Sequence, residues 1–180
     1  MQNDRNDKLI TNSIDTNAVK VVKWLSKHGL TISFAESCTG GMLSEAITSV
    51  SGASKVYECG ICSYSNRIKE SVLGVSGDTL RKYGAVSEQT AIEMAKGVKA
   101  LTSSDIAVGV TGIAGPLGGT DQKPVGTVWV SVATDCRAFA RNLMLYNRGE
   151  NLNRETIRRL TTDEALKMVL KALSEENELR

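Results

Sequence analysis

In 31-TISFAESCTGGMLSEAITSV-50, a short apolar run ends in Ser37, Cys38 and Thr39, and two glycines open a stretch with helical spacing. Residues 31–36 read as a strand and Thr39 to Val50 as a helix, with a sharp turn between them. Gly40 and Gly41 carry no side chain to hold a ligand away, so the helix N-terminus is expected to approach one closely. Strand, tight turn and helix is the unit from which layered α/β sheets are built.

The alternation continues on both sides of this unit. Upstream, Ile14, Ala18, Val21, Val22 and Leu25 recur at helical spacing in 14-IDTNAVKVVKWLSKH-28, and His28 with Gly29 ends that helix. Downstream, residues 56–64 predict a second strand and Asn66 to Leu73 a short helix carrying Lys69. Asp78 is expected to cap 79-TLRKYG-84, and Ser87 a helix running to Leu101 on whose apolar face lie Ala91, Met94, Ala95 and Val98. The continuous apolar run 105-DIAVGVTG-112 predicts a buried strand. Then 127-TVWVSVAT-134 and 138-AFARNLMLYN-147 predict an antiparallel hairpin around Asp135, Cys136 and Arg137, and a long helix is expected from Asn153 to Ser174. The pattern predicts a layered α/β/α single domain with a mixed sheet, spanning residues 15–174 between polar tails at 1–14 and 175–180. Strand order is not legible in it.

Composition narrows the classes. A chain of 180 residues buries roughly two thirds of its unfolded surface, so no staple is required. The net charge of +2, with Lys and Arg scattered among acids, argues against a nucleic-acid partner. The start, 1-MQNDRNDKLITN-12, has no apolar core and reads as neither signal peptide nor membrane anchor, so a cytoplasmic location is the expectation. Four cysteines without a secretory signal read as reduced thiols. Of these, 59-CGIC-62 has redox or metal spacing, but it falls on a strand rather than at a helix N-terminus, and His28 is the single histidine. Buried small side chains are the expected role of Cys59 and Cys62, and no metal or cofactor is expected.

The candidate chemistry starts at Ser37, which reads either as a helix cap or as a nucleophile facing a cleft; Thr39 suits the cap better. His28 sits at a helix end, so a Ser-His-Asp arrangement is not available. Lysine is the alternative base: Tyr64 at a strand end and Lys69 about one helical turn beyond can converge. Lys69 reads either as a solvated charge or, if buried, as a base with a depressed pKa. The loop 112-GIAGPLGGTDQKPVG-126 holds both prolines of the chain, Pro116 and Pro124, and matches no complete phosphate-binding fingerprint. Its glycines offer backbone N–H groups to an anion, and Thr111 adds a hydroxyl. Arg154, Arg158 and Arg159 open the last helix against its macrodipole, which suits either an anionic ligand or a solvated face.

Together, 35-AESCTGG-41, 64-YSN-66 followed by Lys69, 84-GAVSEQT-90, 109-GVTGIAGPLGG-119 and 123-KPVGTVW-129 resemble the C-terminal domain of the CinA family, in the family's order and over residues 15–172. That family includes stand-alone nicotinamide mononucleotide deamidases. The resemblance implies a metal-independent amidohydrolase of pyridine-nucleotide recycling, with Ser37 as nucleophile, Lys69 as general base and Tyr64 beside them. It implies that Thr39, Gly40, Gly41, Thr111, Gly112, Gly115 and Arg154 hold the intermediate or the nucleotide, with Arg148 and Arg158 as alternative phosphate ligands. The expected partners are a small nucleotide and further copies of the chain, with no membrane. The large domain that precedes this one in full-length CinA proteins is expected to be absent, since about 15 residues precede the first helix. Cys59, Cys62 and the long segment 146-YNRGENLNRET-156 depart from the family pattern. Two other readings stand beside the enzyme: a catalytically silent nucleotide-binding member acting through partners, and a redox protein using Cys59 and Cys62.

Overall fold

Burial sorts the strands before topology does. In the structure, a computed structural model that describes residues 2–148 and 152–178, strand β1 (Ile32–Glu36) is buried at every position. Strand β2 (Tyr57–Cys62) instead alternates between half-buried and exposed, the pattern of a sheet edge. With β3 (Ile106–Gly112), β4 (Val128–Ala133) and β5 (Ala138–Asn142) they form one five-stranded sheet in the order β2-β1-β3-β4-β5. β1 runs parallel to β2 and β3, and β3-β4-β5 continue antiparallel, so the sheet is mixed.

Successive side chains leave a strand on opposite faces, and the two faces are built differently. Ile32 and Phe34 of β1, Val108 and Val110 of β3, and Val128, Val130 and Val132 of β4 pack under α1 (Gln2–His28), α2 (Met42–Thr48) and α6 (Arg154–Glu178). The opposite face carries small residues, Ala35 and Ala107, beneath α3 (Asn66–Leu73), α4 (Gly77–Tyr83) and α5 (Glu88–Thr102). Smallness there is a requirement: a Cβ on Gly109 would stand 2.3 Å from the Ala91 carbonyl oxygen of α5. The result is the expected layered α/β/α architecture.

Several boundaries differ from those predicted. Helix α1 begins at Gln2, upstream of Ile14, so most of the predicted polar tail is helical. Polar bonds to α6 take the place of an apolar stripe there: Ser13 Oγ and Asn17 Nδ2 donate to Asp163 Oδ1 at 2.7 and 2.9 Å, and Arg159 donates to Thr11 Oγ1. α2 begins at Met42 rather than Thr39, because Gly40 and Gly41 take positive φ (61° and 97°) and the chain turns through residues 37–41. Ser76, not Asp78, caps α4, while Ser87 caps α5 as expected. α6 continues past Ser174 to Glu178. Residues 149–151 of the long 146–156 segment lie outside the described residues.

Candidate active site

β1, β2 and β3 end on the same edge of the sheet. From β1 the chain passes to β2 on one side through α2, and returns to β3 on the other through α3, α4 and α5, so the crevice outside these carboxyl ends lies at a reversal of strand order. Open α/β sheets bind their ligands at such points. Here the crevice is a cavity of about 250 Å³, lined among others by Ser37, Tyr64, Lys69, Thr111, Gly115 and Arg154.

Lys69 lies in the first turn of α3, whose N-terminus is capped by Ser65 Oγ accepting from Ile68 N–H at 3.3 Å. The turn directs its side chain inward, where it is 1% exposed. Its Nζ lies 3.2 Å from Ser37 Oγ and donates to the Ser63 carbonyl oxygen at 2.5 Å. No carboxylate pairs with it among the described residues. Burial pushes the Lys69 pKa below the ordinary lysine value, opposed by neighbouring Cys38. Of the two readings of Lys69, the structure selects the buried one.

Cys38 behaves differently from its neighbour. Burial, reinforced by the charge of Glu36, pushes its thiol up to about 12, against the smaller lowering effects of its own N–H, Lys69 and Arg154. The thiolate that makes a cysteine nucleophilic is therefore absent at neutral pH.

Thr39 is not the cap. Its Oγ1 is buried without a hydrogen-bond partner among the described residues, and its carbonyl accepts from Arg158 Nε and Nη2 at 3.2 and 2.7 Å. Glu36, fully buried at the end of β1, does the capping instead. Its carboxylate accepts from Gly41, Leu43 and Ser44 N–H at 3.0, 3.1 and 3.0 Å, and from Ser44 Oγ at 2.7 Å. The N–H groups of Gly41, Leu43 and Ser44 are thus already engaged by the Glu36 carboxylate. Thr39, Gly40 and Gly41 do not line the cavity.

Opposite Ser37, the other predicted residues do meet. Thr111 Oγ1 donates to the Ala85 carbonyl at 2.7 Å, which fixes the hydroxyl at the cavity wall. A Cβ on Gly112 would fall 2.7 Å from Val128 Cγ2, and one on Gly115 2.5 Å from Val125 Cγ1, so both glycines are needed for the loop to close on the sheet. Among the described residues, the N–H groups of Ala114, Gly115, Leu117 and Gly118 meet no protein acceptor. Arg154 spans the mouth, donating to the Gly115 carbonyl at 2.8 Å and to Tyr64 Oη at 2.9 Å. Of the three candidate arginines only Arg154 lines the cavity, since Arg158 binds the Thr39 carbonyl and Arg148 pairs with Glu164.

The profile of the CinA C-terminal domain matches residues 14–173. This chain belongs to the CinA C-terminal domain family. A CinA-like protein of Thermotoga neapolitana is 48% identical over 155 residues, covering 86% of this chain and 36% of that protein. One from Kosmotoga olearia is 51% identical over 125 residues, covering 69% and 30%. The chain thus spans about a third of the length of the curated relatives it matches. Among solved structures, the competence/damage inducible protein CihA from Agrobacterium tumefaciens superposes with a TM-score of 0.84 at 39% identity, covering 90% of this chain and 96% of that one.

In this CinA domain the 59-CGIC-62 pair has a different setting from the buried one expected. Cys59 is half-buried and Cys62 exposed on the edge strand, because β2 is covered on fewer sides than a central strand. All four cysteines are free, and among the described residues no group of three or more His, Cys, Asp or Glu is placed to hold a metal. His28 stacks on Trp24 at 3.7 Å, with Nδ1 2.7 Å from the Trp24 carbonyl, at the end of α1. No described helix is long and apolar enough to cross a membrane.

Sequence reasoning missed Glu36 and Ser63. Glu36 carried a usable signal: a lone acid ending an otherwise buried strand, five residues before unpaired helix N–H groups, needs donors and finds them there. Ser63 acts through its backbone carbonyl, and no side-chain pattern announces that.

Proposed function

We propose that this CinA domain is an amidohydrolase that converts nicotinamide mononucleotide and water to nicotinate mononucleotide and ammonia. The observation that carries the reading is the buried 3.2 Å contact between Lys69 Nζ and Ser37 Oγ at the wall of the cavity.

Each step uses a group already placed. Neutral Lys69 accepts the Ser37 proton while Oγ attacks the carboxamide carbon, and unpaired loop N–H groups such as that of Gly115 suit the resulting oxyanion. The Lys69 ammonium returns the proton to the departing amine, leaving an ester on Ser37 and free ammonia. A water molecule then attacks the ester, again losing its proton to Lys69, and the carboxylate leaves with Ser37 restored. A cationic pyridinium ring beside Lys69 helps keep it neutral by like-charge repulsion. Arg154, held at the mouth by the Gly115 carbonyl and Tyr64 Oη, brings a fixed positive charge and its remaining N–H groups to the side suited to the substrate phosphate. The reaction needs no metal or cofactor in this reading.

Purified protein incubated with nicotinamide mononucleotide is expected to release ammonia and nicotinate mononucleotide in equal amounts. Nucleotide binding without turnover would sink the enzymatic reading. It would favour a catalytically silent nucleotide-binding protein acting through partners in a competence or DNA-damage response; the Agrobacterium relative is named as competence/damage inducible.

A further inference from the structure

We propose that Glu36 is a positioning residue for this reaction: its carboxylate fixes the turn that presents Ser37, and its carbonyl holds the N–H of Ser63, whose own carbonyl holds Lys69. The inference rests on the amidohydrolase reading above.

Burying a carboxylate is costly unless every lone pair finds a donor, and a hydroxyl would cap a helix more cheaply. Such a hydroxyl is present: Thr39 Oγ1 lies in the same turn, buried and without a partner among the described residues. The chain nevertheless uses a carboxylate from the end of β1, with no cation paired to it among the described residues. Unlike a hydroxyl cap, it binds on both sides of the nucleophile. Glu36 is covalently joined to Ser37, and its two carboxylate oxygens hold residues 41, 43 and 44 beyond the turn, closing a ring around Ser37, Cys38 and Thr39. Charge-assisted bonds of this kind are roughly twice as strong as neutral ones.

The other end of the residue reaches the base. Ser63 N–H donates to the Glu36 carbonyl at 2.8 Å, and the Ser63 carbonyl accepts from Lys69 Nζ. From Glu36, Ser37 is one peptide bond away and Lys69 two hydrogen bonds away, so the separation of the pair is set from one residue. A further shell supports it: Ser44 Oγ and Tyr57 Oη both occupy the space above Gly60, where a Cβ would stand 2.1 Å from Ser44 Oγ and 2.2 Å from Tyr57 Oη.

The test compares wild type, Glu36→Gln, Glu36→Asp and Ser44→Ala in three measurements: thermal denaturation, kcat and KM on nicotinamide mononucleotide, and the rate at which a fluorophosphonate labels Ser37. Glutamine keeps the size but turns an amide donor toward backbone donors. It is expected to lower kcat and the labelling rate together by about 100-fold, the scale of a small misplacement, with KM unchanged. Aspartate, a methylene short, is expected not to rescue, and Ser44→Ala to lose less. Folded Glu36→Gln with wild-type kcat and labelling rate overturns the proposal, as does a lowered Tm alone. If Glu36→Gln does not fold, Glu36→Asp and Ser44→Ala decide, and unaltered labelling in both overturns it. Wild type that is labelled at Ser37 but leaves the nucleotide intact counts against the substrate, while its labelling rate still tests Glu36.

Discussion

Lys69 Nζ stands between Ser37 Oγ at 3.2 Å and the Ser63 carbonyl at 2.5 Å, in a side chain 1% exposed. With no carboxylate partner, burial favours the neutral amine, and this has a consequence for stability. The folded-state pKa lies below the unfolded value, so between the two the unfolded chain binds more protons and stability rises with pH. Thermal denaturation from pH 7 to 10 is therefore expected to show wild type gaining on Lys69→Met as pH rises. A difference that stays flat, or that shifts in favour of Lys69→Met as pH rises, contradicts the burial argument.

The same group is expected to set the pH dependence of turnover. In the proposed mechanism activity requires neutral Lys69, so kcat/KM is expected to rise with pH and level off below the ordinary lysine range, measured as initial ammonia release. A profile that falls over that range points to a different base.

Arg154 is expected to act on the phosphate end. Arg154→Ala should raise KM for nicotinamide mononucleotide by about tenfold or more while leaving the riboside without phosphate nearly unaffected, and Arg154→Lys should restore only part, since a point charge lacks the paired donors. Arg148→Ala, which removes a partner of Glu164 outside the cavity, should change KM little.

Cys38 and Cys62 should separate by reactivity. Native protein treated with iodoacetamide is expected to be modified at exposed Cys62 and not at buried Cys38, whose thiol is pushed up to about 12. Cys62→Ser should keep full activity; a loss, or a disulfide-dependent change, supports the redox reading instead.

Gly109 tests the close approach of α5. Gly109→Ala places a methyl 2.3 Å from the Ala91 carbonyl oxygen, between two packed elements, and is expected to cost about 1–3 kcal/mol in urea denaturation. A neutral effect implies that α5 can withdraw freely.

Periodicity carried most of the architecture. The buried run at 105–112 and the apolar spacing in α1 and α5 are burial written into composition, and burial is what layers the sheet. Where elements are held by polar bonds instead, the pattern fell silent: the upstream part of α1 is tied to α6 through Ser13 and Thr11, and reads as a tail. At the site, the residues that meet through side chains were legible, namely Ser37, Lys69, Tyr64, Thr111 and Arg154. The glycines at 40 and 41, expected to leave space for a ligand, take positive φ in a turn closed by Glu36, a use that no spacing announces. The separation of Ser37 and Lys69 depends on backbone groups at Glu36 and Ser63, which no residue type encodes.

The most direct measurement is the rate of ammonia release from nicotinamide mononucleotide by wild type, Ser37→Ala and Lys69→Ala, side by side, with folding of each checked by thermal denaturation. Wild type should turn over and both variants should lose at least about 100-fold, the low end for removal of a general base. A folded Ser37→Ala that releases ammonia at the wild-type rate would contradict the account.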